Sequence, residues 1–331
     1  MEPQPILRTR PRPLEVLRSW IDTHAARPVD AQDPDAVDWA RVVPFVALHL
    51  GCLLVFAVGV STTAVVVAVA AYALRMFAIT AFYHRYFAHR AFRTSRVAQF
   101  LFALWGNTAA QRGPLWWAAH HRRHHRHSDT ERDVHSPHRG GLWQSHLSWF
   151  LSRRNFATDL AQVRDLARYP ELRFLDRFDI VAPLLFALAT FGLGELLAAV
   201  WPGLGTSGMQ CLVWGFFVST TLLFHGTATI NSLGHLFGRR RYATNDHSRN
   251  SFLLALLTFG EGWHNNHHAD QRSAAHGHRW WEIDQTYITI KLMQWVGLAR
   301  DVVKPGRLSQ LRSKLGTDTA PIDDSGAAVD A

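Results

Sequence analysis

Sulfur is nearly absent from this 331-residue chain, whose two cysteines, Cys52 and Cys211, each stand alone in an apolar run. That excludes a disulfide framework, a zinc ribbon and a thiolate-held iron–sulfur cluster as organising devices. The chain also lacks a Gly-rich dinucleotide fingerprint and any helix-borne Glu-x-x-His motif of the kind that builds carboxylate di-iron bundles. Most telling is where charge is missing. Residues 42–83 carry one charged side chain, Arg75, and residues 180–238 carry one, Glu195. An ordinary soluble domain seldom holds stretches this long without charge, and each is at least twice the ~20 residues that cross a bilayer as a helix.

Each stretch has a weak break near its middle, Val58-Gly59-Val60-Ser61 in the first and Trp201-Pro202-Gly203 through Gly208 in the second. The pattern predicts an all-α integral membrane protein with four transmembrane helices in two hairpins, spanning about 42–60, 63–83, 180–200 and 209–231. The net charge of +9 lies outside the hairpins. It is therefore read as a basic membrane face, with no nucleic-acid partner. Both hairpin loops are short and uncharged, so the positive-inside rule places both termini and a helical cap, residues 84–178 and 239–304, in the cytoplasm. The Arg- and Pro-rich segment 1–40 and the tail 305–331 read as flexible. Because some 40 such residues precede the first apolar run, that run is not a cleaved signal peptide. The shorter apolar segments 97–109 and 251–260 read as cap helices, and Arg75 as a residue that snorkels or pairs inside the bundle.

What is abundant is histidine, 20 residues in all. Three tight groups fall on the expected cytoplasmic side: His84 and His89; His121, His124 and His125; His264, His267 and His268. In the last two groups the i, i+3, i+4 spacing puts three imidazoles on one helix face. The five-residue spacing of the first is awkward on a straight helix and suggests fraying. Asn231 and His235 form a fourth element, with i, i+4 spacing at the end of the last span. A lone histidine on an apolar face is more often structural than a ligand. Nine gathered imidazoles would repel one another when charged unless a metal held them neutral. One structural zinc takes four ligands, so nine nitrogens suit two metals of higher coordination, although imidazole suits iron, copper and zinc alike.

The arrangement HxxxxH, HxxHH and HxxHH, separated by membrane hairpins, resembles the integral-membrane fatty-acyl desaturases and hydroxylases. Thr80-Ala81-Phe82-Tyr83-His84-Arg85, Trp117-Ala118, Ser128-Asp129, Ser145-His146-Leu147-Ser148-Trp149, Asn231-Ser232-Leu233-Gly234-His235 and Gly260-Glu261-Gly262-Trp263-His264-Asn265-Asn266-His267-His268 are similar to the stearoyl-CoA (delta-9) desaturase branch, over about residues 42–304. The resemblance implies two iron ions held by His84, His89, His121, His124, His125, His235, His264, His267 and His268, with Asn231 acting through a water. It further implies oxygen as co-substrate and a long saturated acyl chain receiving a cis double bond, expected at delta-9, in unsaturated fatty acid biosynthesis. Acyl-CoA is the first expectation for the carrier, ahead of an acyl-lipid. The family's acyl-CoA members carry an Arg-Asp pair where this chain has Ala119-His120, and a tryptophan where it has Ala228.

Trp117, Trp143, Trp149 and Trp263 are candidate tunnel walls, and Arg153 and Arg154 candidate headgroup partners. The alternative for each is plain packing or a lipid-facing basic pair. Asp129, Asp133, His135 and His146 are candidates for orienting the ligand imidazoles. His24, His247, His276 and His278 read as surface residues, and Arg279 with Glu282 as a structural ion pair. Electrons are expected from a separate donor, a ferredoxin, rubredoxin or cytochrome b5-like protein with its reductase, docking on the basic cap. The setting expected is a bacterial plasma membrane. The rival readings are a membrane di-iron hydroxylase or alkane oxygenase and a non-enzymatic metal sensor or transporter. The latter would place ionisable ligands within its spans.

Overall fold

The computed structural model describes residues 13–25 and 35–306. Among them there is no strand, only isolated bridges between loops. Helix α1 is Pro13–Ile21. Helix α2, Trp39–Gly51, continues through a 3-10 turn at Cys52–Leu54 into Val55–Val58. Gly59, at φ +67°, turns the chain. Ser61 then caps the long helix α3, Thr62–Ala88, by accepting from the Ala64 N–H at 3.1 Å. The second hairpin follows the same plan: α8, Val181–Val200, a Pro202–Leu204 turn, and α9, Gly208–His235, capped by Ser207. Among the described residues three helices, α3, α8 and α9, are long and apolar enough to cross a membrane, and Val42–Val58 is a shorter apolar helix.

The two hairpin turns meet. Gln210 donates to the Val58 carbonyl at 3.0 Å and accepts from the Ser61 hydroxyl at 2.6 Å, while Trp214 donates to the Gly59 carbonyl at 2.9 Å. At the other end α3 and α9 continue into a helical layer made of α4 (Arg96–Asn107), α5 (Pro114–His127), α6 (Pro137–His146), α7 (Pro170–Arg177), α10 (Phe252–Leu257), α11 (His264–Ala269) and α12 (Gln285–Trp295). The layer's apolar core forms on α3: Phe82 stacks on Phe102 with ring centroids 3.9 Å apart, and Leu115, Leu166, Leu172 and Ile290 are fully buried around it. A stack of this kind adds to the ~1.5–3 kcal/mol that burial of each large apolar side chain contributes.

One expectation needs revision. The segment 1–40 was read as flexible, yet residues 13–25 are docked: Asp22 pairs with Arg177 at 2.7 Å and Thr23 donates to the Asp176 carbonyl at 3.1 Å. The rest of that reading, and the tail from 307 onward, lie outside the described residues. Arg75 follows the second of its two readings and pairs inside the bundle rather than snorkelling. It is 1% exposed and donates to Thr220, Ser219 and the Ala71 carbonyl.

Candidate metal centre

The last eleven residues of α3, Ala78–Ala88, wind as a π-helix. In that geometry residues five apart stack, because each N–H reaches the fifth carbonyl back; the His89 N–H bonds to the His84 carbonyl at 3.1 Å. The HxxxxH spacing is thus the repeat of a π-helix and not the sign of fraying. Helix α5 brings His121, His124 and His125, α9 brings His235, and α11 brings His264, His267 and His268.

These nine imidazoles converge as two sets. His84, His89, His121, His125 and His267 form one, and His124, His235, His264 and His268 the other, with the ligand atoms of each set lying within 4.8 Å of one another. In the first, Nε2 atoms meet in a row: His89 to His121 at 2.8 Å, His121 to His125 at 2.9 Å, His125 to His267 at 2.9 Å and His267 to His84 at 3.0 Å. A ring nitrogen carries either one proton or one lone pair, so an inner member of this row can serve only one neighbour. Two of the four contacts must therefore be something other than hydrogen bonds. Two nitrogens bound at right angles to one ion at ~2.1 Å would stand ~3.0 Å apart, the spacing seen here. His268 Nε2 is buried with no hydrogen-bond partner. The donor set fits two nitrogen-ligated transition-metal ions, and it fits hydrogen bonding poorly.

Electrostatics agree. Burial first, and the neighbouring histidines next, push His89, His121, His125, His264 and His267 well below the ordinary imidazole range, which leaves their lone pairs free. Behind the rings stand carboxylates. Asp133 Oδ2 lies 3.0 Å from His124 Nδ1, Asp129 Oδ2 2.8 Å from His235 Nδ1 and Asp246 Oδ2 2.7 Å from His268 Nδ1, while Glu261 contacts His84 Nδ1. A carboxylate at Nδ1 favours the tautomer that carries its proton there and leaves the Nε2 lone pair free for a metal. Asp129 and Asp133 were expected here; Asp246 and Glu261 were missed. Glu261 lies three residues before His264, a usable signal, whereas Asp246 sits in an irregular loop with nothing in the sequence to mark it.

Other histidines fall elsewhere than expected. His276, read as a surface residue, is fully buried and accepts from Arg85 Nε at 3.3 Å; His278 contacts the Tyr242 hydroxyl at 2.9 Å. His146 touches no ligand imidazole and bonds instead to His225 at 3.0 Å and Ser232 at 2.9 Å. His135, by contrast, stays beside the centre, 3.6 Å from Asp133 and with its ring 4.4 Å from that of His124. Glu282 pairs with the Arg241 guanidinium, and Arg279 gives it only a backbone N–H.

A groove of about 900 Å³ leads to the centre. Trp117, Trp149, His121, His135 and Asn231 line its inner end, and Leu184, Leu188 and Phe191 of α8 line its outer flank. Trp117 stacks on His121 at 4.9 Å. Of the expected walls, Trp263 packs against Trp281 and Trp143 is exposed; neither lines the groove. Nor do Arg153 and Arg154; Arg154 pairs with Asp35 at 2.7 Å. The lining arginine is Arg112, held by Asp179 at 2.8 Å. A second cavity of about 40 Å³ lies between the imidazole sets, lined by His84, His121, His124, His264, Trp117, Asn231 and Glu261 among others.

A statistical model of the fatty acid desaturase family matches residues 61–291. The sn-1 stearoyl-lipid 9-desaturase of Anabaena variabilis is 37% identical over 80% of this chain and 94% of its own length. The Delta-9 acyl-lipid desaturase 1 of Arabidopsis thaliana is 34% identical over 83% of this chain and 87% of its own, and the acyl-CoA 5-desaturase AL21 of Anemone leveillei 37% identical over 70% and 69%. The chain belongs to the fatty acid desaturase family and is an oxidoreductase that desaturates fatty-acyl chains.

Proposed function

We propose that the chain is an oxygen-dependent di-iron desaturase that places a delta-9 cis double bond in the acyl chains of membrane lipids. The observation that carries this reading is the apolar groove running from the exposed flank of α8 to two sets of converging imidazoles. His84, His89, His121, His125 and His267 would hold one iron. His124, His235, His264 and His268 would hold the other, with Asn231 reaching it through a water. When bound, the irons supply the oxidation: oxygen takes two hydrogens from adjacent chain carbons, with two electrons and two protons, and leaves as water. The polypeptide supplies position and water exclusion. Trp117 and Trp149 hold the chain against the centre, and the small cavity between the sets has the size for a small molecule such as oxygen or a few waters.

For the acyl carrier we favour a membrane lipid over CoA, which the sequence put first. Leu184 and Leu188 line the groove and are also exposed on the apolar face of α8, so a chain can enter sideways from a bilayer. Among the described residues the groove lining holds one arginine, Arg112, paired with Asp179, and no lysine. A carrier with several phosphates calls for more cations than that. The relatives' names include both carriers and do not decide between them. The helical layer would face the cytoplasm of a bacterial plasma membrane, its exposed arginines receiving an acidic electron donor with its own reductase.

The test is purified protein in lipid nanodiscs with a ferredoxin and reductase, offered stearoyl-lipid or stearoyl-CoA. A double bond at carbon 9 of the lipid-borne chain supports the proposal. Conversion of stearoyl-CoA alone defeats the carrier assignment, and a hydroxylated product defeats the reaction. His267→Ala should abolish turnover, and unaltered product would sink the ligand set.

A further inference from the structure

The two imidazole sets differ in what stands behind them. In the set His124, His235, His264 and His268, three of the four rings have Nδ1 against an aspartate, at 3.0 Å (Asp133), 2.8 Å (Asp129) and 2.7 Å (Asp246). None of these carboxylates is paired with an arginine guanidinium among the described residues. Their other partners are hydroxyls and backbone N–H groups: Ser136 and the His247 N–H for Asp129, the Asp129 and His135 N–H groups for Asp133, Ser248 and Thr244 for Asp246. In the set His84, His89, His121, His125 and His267, only His84 has a carboxylate, Glu261, and Arg85 takes the other oxygen of Glu261 at 3.2 Å. His125 Nδ1 and His267 Nδ1 are buried with no partner, as is His264 Nδ1 in the aspartate-backed set. Every ring of the aspartate-backed set is buried, whereas His121 and His125 are only partly buried.

A divalent ion in the aspartate-backed position would thus meet three uncompensated negative charges just beyond its ligands. One in the other position would meet a single carboxylate already shared with a guanidinium. In a buried site that difference in charge compensation favours the cation strongly. A carboxylate behind an imidazole also makes the ring a stronger donor, and loss of one such partner typically lowers metal affinity 10–100-fold. The five-imidazole set has one more nitrogen, but it has two unbraced rings against one, a single carboxylate against three, and a less buried side.

We propose that the two metal positions are inequivalent, the aspartate-backed position retaining its ion while the five-imidazole position exchanges its ion, with Asp246, Asp129 and Asp133 as the positioning residues that set the difference. This rests on the di-metal reading above. The test counts metal, not turnover. Full-length protein in detergent is loaded with ferrous ion or, as a spectroscopic probe, cobalt(II), then equilibrated against graded chelator, and metal per chain is measured. Wild type should lose its metal in two equal steps whose midpoints differ at least tenfold in chelator. Asp246→Asn should weaken the tight step 10–100-fold and leave the loose one in place, whereas Glu261→Gln should move only the loose step. If Asp246→Asn fails to fold, as shown by its thermal unfolding, Asp133→Asn stands in with the same expectation. Loss of both ions in one step, or an Asp246→Asn effect confined to the loose step, overturns the inequivalence. Wild type that takes up no metal defeats the di-metal reading itself.

Discussion

Arg75 and Ser219 face each other between α3 and α9, with Nη2 donating to Oγ at 2.5 Å, and Thr220 accepts from Nη1 at 2.6 Å. No carboxylate pairs with this guanidinium among the described residues; its remaining partners are the Ala71 and Thr108 carbonyls, and Phe186 lies over it at 4.3 Å. The two sides of the contact should respond unequally to mutation. Arg75→Met removes the buried charge and leaves hydroxyls that can bond to their own helix, as Ser219 already does to the Gly215 carbonyl at 2.5 Å. Its cost should stay within about 1 kcal/mol. The double variant Ser219→Ala/Thr220→Val strands the guanidinium and should cost about 3–5 kcal/mol. Thermal unfolding in detergent compares them, and an equal loss for both would contradict this account.

What could be read in the sequence was the chemistry carried by local spacing. His121, His124 and His125, and His264, His267 and His268, lie one helical turn apart, and a helix converts that spacing into convergence without help from the rest of the fold. The His84/His89 pair was recognised as a ligand pair but misread in shape, because nothing in a residue pattern distinguishes a frayed α-helix from a π-helix. Asp246 reaches His268 across 22 residues, and Arg85 reaches His276 across 191. Contacts of that kind come from tertiary packing and leave no periodic trace. His276 was read as a surface residue, yet it is fully buried and its ring accepts from Arg85, a contact made only by the fold.

Gly262, two residues before His264, has no room for a side chain. A Cβ there would lie 2.0 Å from the Ala255 backbone nitrogen and 2.6 Å from the Ser251 carbonyl oxygen. Both are backbone atoms, so the start of α11 must move. Gly262→Ala should cost about 1–3 kcal/mol or more and lower retained metal with it. Gly192→Ala on α8, where an added Cβ meets nothing within 4 Å, is the control. Its stability should be unchanged or raised by up to about 1 kcal/mol.

Glu282 makes acid sensitivity predictable. Burial alone would raise its carboxyl, but the Arg241 guanidinium and the His278 and Arg279 N–H groups outweigh burial and hold it below the ordinary range. A carboxyl depressed in the folded state binds its proton more readily in the unfolded one. Its contribution is therefore full above the unfolded value near pH ~4.3 and is lost as pH falls through the lower folded value. Glu282→Gln should be less stable than wild type at neutral pH, by about 1.5–3 kcal/mol for the charged hydrogen bonds lost. The two unfolding curves should converge as the pH falls below 4. A gap that stays constant down to pH 3 would show that the carboxylate's charge is not what matters.

The groove offers the sharpest separation of substrate from metal. Ala187 lines it from α8, a helix that contributes no imidazole. Replacing it with tryptophan puts an indole into the path of the chain and leaves every ligand and every carboxylate behind the ligands untouched. Misplacement of a reacting carbon by about 1 Å can lower turnover ~100-fold, so Ala187→Trp should reduce conversion of stearoyl chains at least tenfold. Metal per chain and thermal stability should stay at wild-type values. Shorter chains, which need less of the groove, should lose less. Competition between chains of 14 and 18 carbons, with products resolved by mass spectrometry, gives the ratio directly. If both lengths fall equally with metal intact, the groove does not carry the chain to the centre.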